Sequence, residues 1–116
     1  MSNEEMCRNL LITVYHQVMA GWNLDQSRKG QPLNSFDLTQ FLKESANTIA
    51  RAGEEGFTTC EKDVQDLIRE GVDLIQQFQV RLAGTEQGGV KSTLRNDAKN
   101  YLQRAGDVLV PEYSEE

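Results

Sequence analysis

Seven residues recur three or four apart through the middle of this chain: Cys60, Val64, Leu67, Gly71, Ile75, Phe78 and Leu82. At about 100° per residue they fall within roughly 60° of one another on a helix. The stretch reads as a long amphipathic helix, whose stripe other elements must cover. No stretch shows sustained period-two alternation with turn signals on both sides.

Three further helices follow from the same arithmetic. The first is expected over about Asn3 to Gly21, with Ser2 as a cap and Glu4 and Glu5 at the positive end of the dipole. A polar loop over 22–33, containing Gly30 and Pro32, separates it from the second. There Asn34 can cap, Leu33 and Leu38 have the spacing of a hydrophobic staple, and the stripe is Leu38, Phe41, Leu42, Ser45, Ile49 and Ala52. Gly53 is a natural stop. The third helix opens on a Thr58-x-x-Glu61 capping box and ends near Gly84. The fourth carries Val90, Leu94, Ala98, Tyr101, Ala105 and Val108; Gly106 can end it early, and Pro111 is expected to end it outright.

Four helices with short connections argue for an all-α fold, an antiparallel up-down-up-down four-helix bundle. With 116 residues the chain fits one domain, expected over 1–110, with a frayed acidic tail over 111–116. Helices one and three then run parallel, which puts Cys7 and Cys60 at the same end of the molecule. The N-terminus is acidic where a secretory signal is basic, and Leu10-Leu11-Ile12 is interrupted too soon for a membrane span. The chain is therefore expected to be cytoplasmic, and two cysteines do not make a disulfide framework; a bond between them is not expected in that compartment.

Much chemistry is missing from the sequence. A di-iron bundle needs several glutamates and Glu-x-x-His pairs, but the chain has one histidine, His16, and no such pair. A zinc site needs about four ligands. No metal and no cofactor is expected. Cys60 would sit in the first turn of its helix, where the dipole lowers a thiol pKa, but it also lies on the apolar stripe and reads as a buried hydrophobe. The run Gly84 to Thr93 has the glycines of a phosphate loop, yet Val90 separates Gly89 from Lys91-Ser92 and a helix precedes it where a strand is required. An enzyme is disfavoured.

Surfaces remain. The apolar residues of the first helix cover about 200° of its circumference, against the roughly 100° that one core face requires. Either it lies centrally and is touched on several sides, or the flank Ile12, Tyr15, Met19 and Trp22 is an interface for another protein or a second copy. Asp63, Asp66, Glu70 and Asp73 line the outer side of the third helix and suit a basic partner. On the fourth, Lys91, Arg95 and Lys99 form a basic ridge, with Arg104 further along and Arg28-Lys29 in the first loop. The net charge of -6 disfavours indiscriminate binding to nucleic acid or anionic membrane. The leading expectation is a small non-enzymatic interaction module: an adaptor, an inhibitor or a subunit of a larger assembly. The alternative is a helical small subunit of a nucleoprotein complex that meets phosphates through the basic ridge.

Overall fold

The computed structural model describes residues 3–28, 35–54, 60–84 and 91–113. They form four helices, α1 (Asn3–Arg28), α2 (Ser35–Glu54), α3 (Lys62–Leu82) and α4 (Leu94–Tyr113), and no strand among the described residues. The all-α bundle is thus observed.

Helices α1 and α3 make the most extensive contact in the molecule. Two glycines set its closeness. A Cβ built on Gly71 of α3 would collide with the Val14 side chain and stand 2.6 Å from the Tyr101 hydroxyl oxygen. A Cβ on Gly21 of α1 would stand 2.9 Å from the Phe78 ring. Each helix needs a missing side chain where the other presses in. A step of seven residues, from Val14 to Gly21, is matched by a step of seven, from Gly71 to Phe78. The two helices therefore run parallel and in register. Helix α4 runs against both: Asp25 meets Arg95 while Tyr15 meets Gly106, and Gln77 meets Lys91 while Glu70 meets Arg104. Helix α2 must carry the chain back from the far end of α1 to the near end of α3.

Helix α1 packs on all three of its siblings, while α2 and α4 have no broad contact with each other. This accounts for the wide apolar arc of α1. Leu10, Leu11, Val14 and Val18 are buried in the core, and Ile12, Tyr15 and Trp22 pack partly buried against it. Of the stripe in α3, Leu67, Gly71, Ile75, Phe78 and Leu82 are buried and Val64 is half-buried. From α4 come Leu94, Ala98, Tyr101, Ala105 and Leu109.

Several boundaries differ from the sequence expectation. Helix α1 does not stop at Gly21 but continues to Arg28. Gly21 is a packing glycine, and the polar residues beyond it stay helical because Asp25 turns inward to two arginines. Helix α3 begins at Lys62, with extended Glu61 as its N-cap and no side-chain capping bond. Cys60 lies ahead of the helix rather than in its first turn, and its carbonyl accepts a 2.6 Å bond from Gln65 Nε2. Thr58, Leu33, Asn34 and Val90 fall outside the described residues. The end of α3 is as expected: Gly84 adopts a left-handed φ of 77°, which suits glycine after a helix. Helix α4 passes Gly106 and Pro111 and reaches Tyr113, so residues 111–113 belong to it. A proline donates no backbone bond and in a helix its ring crowds the carbonyl four residues before it, and α4 runs only two residues past Pro111.

The expectation about the cysteines is also corrected. Cys7 and Cys60 are joined by a disulfide, with their Cα atoms 5.7 Å apart. The parallel pairing of α1 and α3 brings the two thiols together, and neither is free.

Candidate docking surface

The polar interior is spent on holding helices together. Asp25 is 1% exposed. It accepts from Arg81 Nε at 2.7 Å and from Arg95 Nε, so one carboxylate of α1 ties α3 and α4. Burial pushes this carboxyl up. The hydrogen bonds from Arg95 and Arg81 and the two positive charges outweigh it and hold the group below its ordinary range. Between α1 and α2, Ser45 Oγ donates to Gln17 Oε1 at 3.0 Å, and Gln17 Nε2 donates to Glu44 Oε1 at 3.2 Å. Small Ser45 on the α2 stripe thus serves as a buried polar contact as well as a packing site. Tyr101 is fully buried, and burial above all raises its phenol pKa. Its hydroxyl has no partner among the described residues.

The residues proposed from sequence separate into three groups. On α1, Ile12, Tyr15, Met19 and Trp22 are all half-buried, and the Tyr15 hydroxyl approaches Gly106 of α4. His16, beside them, is exposed and sets its ring edge-on to Tyr15 at 5.6 Å. On α3, Asp63, Asp66 and Asp73 are exposed, with Asp73 accepting from Gln77 Nε2 at 2.7 Å. Glu70 is half-buried and takes a forked bond from Arg104. The basic ridge is partly consumed. Arg95 is bound to Asp25 and Arg104 to Glu70, while Lys91 and Lys99 are exposed. The side chain of Arg28, and the whole of Lys29, lie outside the described residues.

Sequence reasoning missed one feature. Between α2 and α3 lies an open recess of about 270 Å³. Buried Ala52 and Ile68 form its floor, half-buried Ile49 and Val72 its walls, and exposed Arg69 and Asp73 its rim. An apolar hollow with a few polar groups at its edge is the common form of a binding site. The signal was present in the two stripes, since Ile49 and Val72 stand at their margins, but only the spacing of α2 and α3 reveals the gap that the described residues leave between them.

Among the described residues, no group of three or more His, Cys, Asp or Glu could hold a metal ion, and no helix is long and apolar enough to cross a membrane. No protein-family model, curated protein or solved structure matches this chain.

Proposed function

We propose that this chain is a small non-enzymatic interaction module, an adaptor, inhibitor or assembly subunit, that docks a protein through the outer side of α3 and the adjoining recess. The observation that carries this reading is the position of Asp73. It belongs both to the exposed carboxylate row with Asp63 and Asp66 and to the rim of the apolar recess. An apolar centre with a charged border is what protein interfaces use. The flank of α1 is the weaker candidate, because three of its four residues already pack against the core. The nucleoprotein reading retains Lys91 and Lys99 but shares Arg95 and Arg104 with carboxylates.

The Cys7–Cys60 bond weighs against a cytoplasmic location, since disulfides persist in oxidising surroundings. The test of the functional reading is affinity purification from the native source, run with the natural chain and with Asp63→Lys/Asp66→Lys/Asp73→Lys. The expected result is a partner that the triple variant loses while keeping its helical spectrum. Recovery of the same partners by both chains, or of none by either, a second copy of the chain counting as a partner, overturns the reading.

A further inference from the structure

We infer that the occupant of the α2–α3 recess is a second copy of this chain, related by a two-fold axis. The inference rests on the reading of the recess as a docking surface and names its partner. The floor and walls are apolar, so the recess gains by being covered. Around it the outer face of α2 is low. Ala46, Ala50 and Gly53 are exposed and share a face with Ile49, and a Cβ on Gly53 would meet nothing within 4 Å. A helix can approach such a face closely.

Charge selects which helix. With a net charge of -6 each, two copies repel as whole molecules. The rim of the recess is different, because it carries both signs. Arg69 stands one turn before Asp73 and one turn after Asp66 on α3, and all three are exposed. A two-fold contact uses the same patch on both subunits, so a charged patch that meets its own copy must carry both signs, as this one does. Each copy's Arg69 then faces a carboxylate of the other. The second copy's α2 lies over the recess, where its Ile49 supplies the missing apolar contact.

The experiment is sedimentation equilibrium on the full chain over a range of concentrations. The natural chain is expected to show a reversible monomer–dimer equilibrium. Ala50→Glu alters an exposed position and is expected to keep the thermal melt while weakening dimerisation about tenfold or more, as like charges meet across the axis. Arg69→Asp and Asp73→Arg are each expected to be monomeric alone and to form a heterodimer when mixed. A natural chain that stays monomeric throughout, or a dimer that all three variants leave unchanged, overturns the inference. A monomeric chain that still captures a different protein through Asp63, Asp66 and Asp73 overturns the second copy alone and leaves the docking surface standing.

Discussion

The Tyr101 hydroxyl is pressed against the bare backbone of Gly71, so close that a Cβ there would lie 2.6 Å from its oxygen and 3.0 Å from Cζ. The hydroxyl is buried without a partner among the described residues. Two opposite predictions follow from this one contact. Gly71→Ala gains helix propensity of about 1 kcal/mol but forces Val14 and Tyr101 apart, and overpacking of this kind typically costs about 1–3 kcal/mol. It is expected to destabilise. Tyr101→Phe removes an unsatisfied polar atom, whose burial costs about 1–3 kcal/mol, and is expected to leave stability unchanged or raise it. Urea denaturation of both variants checks the pair. A Tyr101→Phe chain that loses more than about 1 kcal/mol would show that the hydroxyl is bonded.

Asp25 makes the fold sensitive to acid. Its carboxyl binds a proton less readily in the folded chain than in the unfolded one. The stability it contributes is therefore full above the unfolded pKa, about 3.9, and is lost as pH falls through the lower folded value. Asp25→Asn removes the negative charge that Arg81 and Arg95 share, and charged hydrogen bonds of this kind are worth about 1.5–3 kcal/mol. The expected result is a loss of about 2 kcal/mol at pH 7 that shrinks when the comparison is repeated in strong acid. A difference that grows in acid would contradict the assignment.

How much of this was legible in the sequence depends on what each residue's neighbours had to be. The stripes of α2 and α3 showed themselves because a helix that buries one face leaves a periodic record of it. The length of α1 did not, because Gly21 has the look of a stop and the residues after it are polar. Only Arg81 and Arg95, on distant helices, explain why Asp25 points inward. The cysteine bond was half-legible: parallel α1 and α3 place Cys7 and Cys60 at one end, but their distance depends on where Cys60 leaves the turn before α3. Of the proposed docking surface, the row of carboxylates could be read from spacing along one helix. The recess could not, because it is a property of the gap between two.

The disulfide closes a segment of 53 residues that contains most of α1 and all of α2. Chain-entropy arguments give a loop of that size about 4 kcal/mol of stabilisation, acting through the unfolded state. A reductant, or Cys7→Ser/Cys60→Ser, is expected to lower the urea midpoint by a corresponding amount while the helical circular-dichroism signal remains. An unchanged midpoint would mean that the thiols are not joined in solution.

The pair Arg104–Glu70 lies at the surface and contributes less than the buried contacts. Arg104 is 53% and Glu70 36% exposed at the side chain, and surface pairs are worth about 0.2–1 kcal/mol. Arg104→Ala is expected to shift stability by less than about 1 kcal/mol, and less again in high salt. A larger loss would place this pair among the main supports of the α3–α4 contact.

The proposed docking surface on α2 and α3 names the residues that a bound partner would cover. Amide hydrogen exchange of the chain in its assembled state, compared with the dissociated chain, reads that surface residue by residue. The expected footprint is slowed exchange over 46–53 of α2 and 66–76 of α3, with 12–22 of α1 and 91–104 of α4 unchanged. Protection confined to 12–22 or to 91–104 would move the docking surface to the flank of α1 or to the basic ridge, and would contradict the account.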